Sequence, residues 1–282
     1  MKYIIASAKG LWKGLVCVIG GSVALGALFG LYARSKGDTF QKPFLMFLCA
    51  GILISIALIL LIASVLRKEE PLQKILAEKG YGDEYLQEFD RIYPPTNVTN
   101  KLRKADVLNT MRRFAESEQL LATIQTFGLS DDRKMEYHNT RLDLFLSTHR
   151  FAEAQQELAA CRQFMDIYVQ GKGNAARGMV FDLNAAVTLA TANDFEGSEH
   201  YMKEAERSLN SLKDQISPVM FMIARTMQLY ALGFEKQAEE QAEKTRQEIM
   251  NSTKLEKAWQ KEHFLAQLSR AAEFAPKNDS KE

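Results

Sequence analysis

Residues 113–124 read RFAESEQLLATI, and residues 150–161 read RFAEAQQELAAC. Seven of the twelve aligned positions are identical, and the substitutions keep the spacing of the apolar side chains. A segment that recurs after 37 residues indicates a structural unit that cannot bury its apolar face alone, so that neighbouring units must stack on one another. This pair of segments therefore predicts a repeat architecture for the C-terminal part of the chain.

Two further copies extend the repeat. They read DFEGSEHYMKEA at residues 194–205 and GFEKQAEEQA at residues 233–242. An aromatic residue marks the start of each copy, and the spacings between these markers are 37, 44 and 39: Phe114, Phe151, Phe195 and Phe234. Each marker opens an amphipathic helix and follows another stretch of helical periodicity, so the unit is helix, tight turn, helix. We predict an all-α domain of about four such helical hairpins over residues 97–275, without strands.

The segments on either side of the hairpins have simpler patterns. Residues 67–96 contain glycine and proline breaks and predict short connector helices. Residues 253–274 predict one more amphipathic helix, which we expect to cap the end of the repeats with a polar outer face. Residues 276–282 are polar and predict a disordered tail.

The repeated copies resemble the tetratricopeptide repeat family. In that family the second helix of a unit begins with an aromatic residue, followed by a small residue and by apolar positions four and seven further on. Residues 150–161 place Ala154, Leu158 and Cys161 at those positions. The spacings here are longer than the family's repeat of about 34 residues. The resemblance implies an α-solenoid whose concave groove is lined by the first helix of each pair and holds an extended peptide or a partner helix.

Four polar side chains would look into that groove by register with the family. They are Asp106 and Asn109 in one first helix, and Asn139 and Asp143 in the next. We expect them to hydrogen-bond the backbone of a protein or peptide partner. The alternative interpretation is ordinary surface polarity on first helices, because such residues carry little specificity alone.

The N-terminal part of the chain has the composition of a membrane domain. Residues 15–33 contain no charged side chain over 19 positions, and residues 44–66 contain none over 23. A bilayer core about 30 Å thick needs about 20 helical residues, so both stretches are long enough to span it. A second span directly after the first argues against a cleaved signal peptide. We predict a transmembrane helical hairpin over residues 1–66, which makes the chain a multi-pass integral membrane protein.

Small residues recur every four positions along one face of the first span: Ser22, Gly26 and Gly30. Small residues at this spacing let two helix backbones approach closely. Either the second span of the same chain packs on this face, or the face pairs with a second copy and forms a homo-oligomer.

Basic residues favour one orientation in the membrane. The two flanks that share a side hold seven Lys and Arg, whereas the connecting loop holds three. The positive-inside rule therefore predicts that the C-terminal repeat domain is cytoplasmic.

The sequence offers little chemistry. Residues 67–282 hold 30 basic and 34 acidic residues, a weakly acidic balance that argues against a nucleic-acid partner. The four histidines are scattered and lack metal-ligand spacing, and no nucleophile signature is present, so we expect no metal, no cofactor and no enzyme. The function predicted is a membrane-anchored scaffold that recruits a partner protein. The alternatives are a structural subunit of a membrane complex and, third, an enzyme with an unrecognised site.

Overall fold

The computed structural model describes residues 2–171, 175–212, 216–253 and 255–276, except for the side chains of residues 2–17, 19, 61, 62, 65 and 169–171. Within these residues the structure consists of helices and connecting turns without a strand, which confirms the all-α class. The α-helices are α1 (Lys2–Ser35), α2 (Gln41–Lys79), α3 (Asp83–Ile92), α4 (Val98–Thr110), α5 (Phe114–Ala122), α6 (Asp131–Ser147), α7 (Phe151–Gly171), α8 (Ala175–Thr191), α9 (Phe195–Ser211), α10 (Ser217–Ala231), α11 (Glu235–Asn251) and α12 (Ala258–Leu268). A 3-10 helix follows at Ala271–Phe274.

The chain divides into two compact units, Met1–Pro71 and Leu72–Glu282. The predicted end of the membrane part, residue 66, falls inside α2, which runs on without a break to Lys79. Residues 67–79 are rich in Glu, Lys and Leu, which are strong helix formers, so the helix continues beyond its apolar stretch. The first half of the predicted connector is therefore a continuation of α2. The helix ends before Gly80, which has the positive φ of +75° common after helix C-termini.

The small-residue face of α1 lies against α2 of the same chain. A Cβ atom added to Gly26 would lie 3.1 Å from the carbonyl oxygen of Phe44. A Cβ added to Gly30 would lie 2.6 Å from the ring of Phe40. A side chain at Gly26 would force Phe44 to shift by a few tenths of an ångström, and one at Gly30 would have to displace the Phe40 ring.

Ser22 completes this contact. Its side chain occupies the space in front of Gly51, where an added Cβ would lie 2.3 Å from the Ser22 hydroxyl. The hydroxyl itself donates a hydrogen bond of 2.8 Å to the carbonyl oxygen of Val18, one turn earlier in α1. Ser22 therefore satisfies its own polar group inside an apolar helix and leaves room for α2.

One helical stretch among the described side chains is long and apolar enough to cross a bilayer. It is Gln41–Leu60 in α2, and very little of it is buried within the chain. The first predicted span, residues 15–33, includes positions 15–17 and 19, whose side chains lie outside the described residues. One possible membrane-spanning helix is thus observed, and the second remains a prediction.

In the second unit the helices pair along the chain. The pairs are α4 with α5, α6 with α7, α8 with α9, and α10 with α11. The first helices of the pairs also contact one another in order, α4 with α6, α6 with α8, and α8 with α10. We call the surface formed by α4, α6, α8 and α10 the first-helix face. Helix α3 packs against α4 at the start of this series.

One turn recurs in all four hairpins. The second residue after the first helix has a positive φ each time, with values of 59°, 56°, 57° and 76° at Arg112, His149, Asn193 and Gly233. In the first hairpin the N–H of Arg113 donates to Leu108 O at 2.8 Å, and the N–H of Arg112 donates to Asn109 O at 2.9 Å. The same two bonds recur in the other three turns, and together they form a Schellman motif that ends the first helix.

These turns correct the predicted register of the fourth copy. The positive-φ residues are spaced by 37, 44 and 40, whereas the aromatic markers were spaced by 37, 44 and 39. Phe234 therefore corresponds to Asp194 and not to Phe195, and Glu235 takes the marker position. The sequence alignment matched the aromatic rings, but the turn geometry fixes the register one residue later.

A small buried residue holds each pair of helices together. The four equivalent positions are all fully buried: Ser117, Ala154, Ser198 and Ala238. The hydroxyl of Ser117 donates to Ala105 O at 3.1 Å, and that of Ser198 donates to Ala186 O at 2.8 Å. The second helix of each pair therefore approaches the first closely enough to exclude a larger side chain.

The C-terminal segment differs from the predicted single capping helix. Within residues 255–274 the chain forms α12 (Ala258–Leu268) and the short 3-10 helix (Ala271–Phe274), with a turn between them. Both pieces pack against α10, and α12 also packs against α11. The segment then continues across the first-helix face to the first two hairpins.

Candidate functional site

The first residues of the C-terminal segment lie next to the end of α2. A Cβ added to Gly80 would lie 3.0 Å from the indole ring of Trp259. Tyr81 meets the same indole edge-on, with ring centroids 5.7 Å apart. The first residues of α12 are therefore fixed next to the start of the repeat region.

Hydrogen bonds then connect the C-terminal segment to the first two turns. The Arg112 guanidinium donates to Ala266 O at 3.2 Å, across 154 residues of sequence. The Arg270 guanidinium donates to Ser147 O at 2.9 Å, across 123 residues. Both carbonyl groups lie at helix C-termini, where backbone oxygens lack partners inside the helix. The segment thus bridges distant hairpins through groups that the helices leave free.

Phe274 anchors the end of the segment. Its ring centroid lies 5.2 Å from that of His149 and 5.3 Å from that of Phe151, and only 5% of the residue is exposed. The neighbouring Glu273 carboxylate lies 2.6 Å from Nε2 of His149. An aromatic cluster and a polar contact together hold this end against the second hairpin.

The apolar side of the segment is buried against the last hairpin. The residues in this cluster share an exposure of 7% or less: Val219, Ile223, Ile249, Leu255, Phe264 and Leu268. Burial of each large apolar side chain stabilises the fold by about 1.5–3 kcal/mol. With three such side chains from the segment and Phe274 in addition, the segment is part of the folded domain and covers the first-helix face.

A partly open pocket of about 150 Å³ remains under the segment. Its polar wall comes from the C-terminal ends of α4 and α6 and from α12. Its apolar wall comes from α8 and α10 and includes Leu183, Val187, Met220 and Ile223. The pocket is amphipathic and has the size of a small organic molecule.

Two of the four predicted groove residues line this pocket, Asn109 and Asp143. The Asn109 amide donates to Thr140 O at 3.0 Å and to Asp143 Oδ2 at 3.1 Å. These bonds join α4 to α6. Burial raises the pKa of the Asp143 carboxyl to about 6, and the hydrogen bonds from Asn109 and Ser147 limit that rise.

Asp106 occupies in the first hairpin the position that Asp143 occupies in the second, six residues before the positive-φ turn residue. Asp106 is an exposed residue. The surrounding protein still reduces the hydration of its carboxyl and raises its pKa to about 7, and repulsion from Asp143 and Glu136 adds to the rise. The two aspartates thus form an acidic pair on the first-helix face.

Asn139 has a different setting. It is 9% exposed, and its side-chain amide donates a long hydrogen bond of 3.4 Å to Arg177 O in α8. It therefore joins α6 to α8, as Asn109 joins α4 to α6. Asn139 therefore makes a hydrogen bond between two helices and does not line the pocket.

The sequence did not predict that two arginines and a histidine line the pocket. Arg112, His263 and Arg270 all line it. Burial lowers the pKa of His263, and the nearby positive charge of Arg112 lowers it further, so this imidazole is neutral at neutral pH. The alignment of Arg112 with His149 in the repeated turn could have indicated a basic edge. No local sequence pattern predicts the contribution of α12, because the hairpin that it contacts through Arg112 lies more than a hundred residues earlier in the chain.

No group of three or more His, Cys, Asp or Glu among the described residues is arranged to hold a metal ion. Comparison with models of protein families, with curated proteins and with solved structures finds no match in any of the three.

Proposed function

We propose that this chain is a membrane-anchored adaptor whose tetratricopeptide-like α-solenoid recruits a partner protein or peptide. The support is the series of four helical hairpins with the same turn, together with an apolar helix of spanning length earlier in the chain. Stacked hairpins of this kind expose a long continuous surface with few chemical groups, which suits protein recognition. The proposal includes two spans, residues 15–33 and 44–66, and a cytoplasmic repeat domain.

The partner surface is proposed away from the predicted groove. An extended peptide on the first-helix face would have to replace the C-terminal segment and its buried side chains. At the third and fourth hairpins, however, Phe195 and Phe234 are 51% and 40% exposed, and their ring centroids lie 6.1 Å apart. In the second hairpin the counterpart of Phe195, Phe151, packs against Phe274. Exposed aromatic pairs are typical anchors of protein interfaces.

The test compares partner capture by three forms of the full chain. The protein, tagged at the C-terminus, is solubilised in mild detergent after chemical crosslinking in membranes. The double variant Phe195→Ser with Phe234→Ser is compared with wild type and with Phe127→Ser, since Phe127 is 99% exposed but lies elsewhere. We expect one crosslinked partner to be lost with the double variant and retained with Phe127→Ser.

The result that contradicts this surface is an unchanged partner profile for the double variant. Circular dichroism and the midpoint of thermal unfolding must stay the same in all three forms, because both rings are substantially exposed. If the partner is lost with Asp143→Asn and retained with the double variant, the partner binds the first-helix face.

A structural subunit of a membrane complex is the second candidate. The face that would pair with another chain, Ser22 with Gly26 and Gly30, already lies against α2. Gly26→Ile would therefore break the hairpin of one chain before it broke a complex. A better test changes the outer side of α2, where Leu53 and Leu60 are 66% and 64% exposed within the chain. A tryptophan at either position should disperse a complex that is assembled through α2.

The topology has its own test. In a chain whose three cysteines are replaced by serine, a cysteine in place of Lys244, which is exposed in α11, would report the side of the repeat domain. We expect labelling by a membrane-impermeant maleimide only after the membrane is opened. Labelling of intact cells would place the domain outside and contradict the proposed orientation.

A further inference from the structure

An unpaired acid lines the pocket. Asp143 is half-buried and accepts hydrogen bonds from the Asn109 amide, at 3.1 Å, and from Ser147. Among the described residues it forms no ion pair. A carboxylate in such a place gains from a cation within the pocket, because neutral donors compensate only part of its lost hydration.

An unpaired cation lines the same pocket. Arg112 uses one N–H for the Ala266 carbonyl, at 3.2 Å, and no carboxylate in the described part of the chain pairs with it. It is exposed and lines the pocket, so it stands where the pocket meets solvent. Its backbone is fixed in the positive-φ conformation of the first turn, with φ of 59°. The hydrogen bond to Ala266 O places the guanidinium at the pocket and leaves most of its donors unused.

Two amide atoms of the pocket also lack partners. Oδ1 of Asn109 accepts no hydrogen bond and Nδ2 of Asn184 donates none to the residues described, although both atoms are buried. Asn109 as a whole is 5% exposed, and both residues line the pocket. Buried polar atoms are almost always paired in native proteins. The hydrogen-bonding capacity of these two amides is therefore not fully used by the described residues.

The remaining wall is apolar. Leu183, Val187, Met220 and Ile223 from α8 and α10 face the polar groups across a pocket of about 150 Å³. A cavity of this size holds a molecule of about six to ten non-hydrogen atoms, since a cavity of about 150 Å³ accommodates benzene. The ligand chemistry that fits has a positive end, a negative end and a short apolar group.

We propose that this pocket binds a small zwitterion of the α-amino acid class with an apolar side chain. The ammonium group pairs with Asp143. The carboxylate pairs with Arg112, while the side chain packs on α8 and α10. The site goes beyond the proposed recruitment of a partner and does not depend on it.

The test is calorimetric titration of the full chain in detergent micelles with L-leucine. Two matched compounds each lack one charged group: 4-methylpentanoate has no ammonium, and 3-methylbutylamine has no carboxylate. We expect leucine to bind at least about tenfold more tightly than either compound, since each charged end makes its own charge-assisted contact. Absence of a saturable heat with leucine, or equal affinity for the three compounds, overturns the proposal.

Variants of the two charged residues assign the ends of the ligand. Asp143→Asn should weaken leucine about tenfold or more and leave 4-methylpentanoate unchanged. Arg112→Gln should weaken leucine similarly and leave 3-methylbutylamine unchanged. Retained binding of the matched compound shows that each variant is folded. Glu240→Gln and Lys244→Gln, which change exposed charges on α11, serve as controls. If either pocket variant binds leucine like its control, the assignment is wrong.

Discussion

Asp182 is a single residue whose ionisation opposes folding. It lies in α8 with 3% exposure, and its Oδ2 atom accepts no hydrogen bond from the described residues. Burial raises the pKa of its carboxyl to about 8, and repulsion from Glu204 and Asp166 adds to the rise. The folded protein therefore holds this proton at a pH where the unfolded chain has released it.

The sign of the pH dependence follows from this. Between the unfolded pKa of about 4 and the folded pKa, the unfolded state binds fewer protons, so the free energy of unfolding falls as pH rises. In Asp182→Asn this contribution is absent. We expect the variant's stability, relative to wild type, to increase by at least about 1 kcal/mol between pH 5 and pH 8. Urea unfolding of both proteins across this range measures it, and parallel curves would show that Asp182 does not retain its proton.

Asn109 and Ser117 provide a comparison between two buried hydrogen-bonding side chains. Asn109→Ala removes the donor for Thr140 O and Asp143 Oδ2, so we expect a loss of about 1–2 kcal/mol. Ser117→Ala should cost less than about 1 kcal/mol, because alanine already stands at the equivalent positions Ala154 and Ala238. Chemical denaturation of the two variants measures both costs. Equal losses would mean that the bond between α4 and α6 adds nothing beyond ordinary side-chain burial.

The four predicted groove residues lie on the first helices α4 and α6, and their contact with a partner stays a prediction. Asn109 and Asp143 were identified because both stand on the first helices at positions set by the repeat register. Asn139 was placed in the same groove, but its amide bonds across to α8. Arg112 and Arg270 were missed because their roles depend on a contact between segments far apart in sequence. Helical periodicity shows which face is apolar and does not show what covers it.

At the scale of elements, the repeated turn decides the register. Gly233 has φ of 76°, and a Cβ added there would meet no atom within 4 Å, so a substitution tests backbone conformation alone. We expect Gly233→Ala to cost about 1 kcal/mol, because alanine is strained at positive φ. Gly233→Asn should cost only a few tenths, since asparagine tolerates this conformation and occupies it at Asn193. Thermal unfolding ranks the two, and the reverse order would contradict the turn.

Element boundaries were predicted where local chemistry sets them. The first three copies were aligned correctly because a charged or polar residue and an aromatic ring follow the turn in each. The fourth was displaced because Phe234 directly follows the turn residue, where the other copies have Arg113, Arg150 and Asp194. Likewise α2 extends beyond residue 66 because loss of hydrophobicity ends a membrane stretch but does not end a helix.

At the scale of the repeat unit, the C-terminal segment joins hairpins that would otherwise contact only their neighbours. Linear repeats unfold piecewise when only neighbouring contacts hold them. Here Trp259 contacts Gly80 at one end and Phe274 contacts Phe151 at the other, so the segment links several hairpins. Its loss would expose the first-helix face and weaken all of them together.

This linkage predicts cooperative unfolding. In the variant Trp12→Phe, Trp259 is the only tryptophan of the chain, so its fluorescence reports the C-terminal segment alone. We expect its urea transition in detergent micelles to coincide with that of far-UV circular dichroism. A fluorescence change at clearly lower urea would show that the segment detaches first, and would make the first-helix face available to a peptide.

The bonds that span 154 and 123 residues also set a sequence of events during synthesis. Ribosomes deliver the chain from its N-terminus at about 5–20 residues per second, so the hairpins emerge before α12 exists. Contacts between residues this far apart form slowly, because a long loop must close first. For some seconds the growing chain therefore presents a bare apolar surface, and molecular chaperones meet a form of this protein that the finished fold no longer shows.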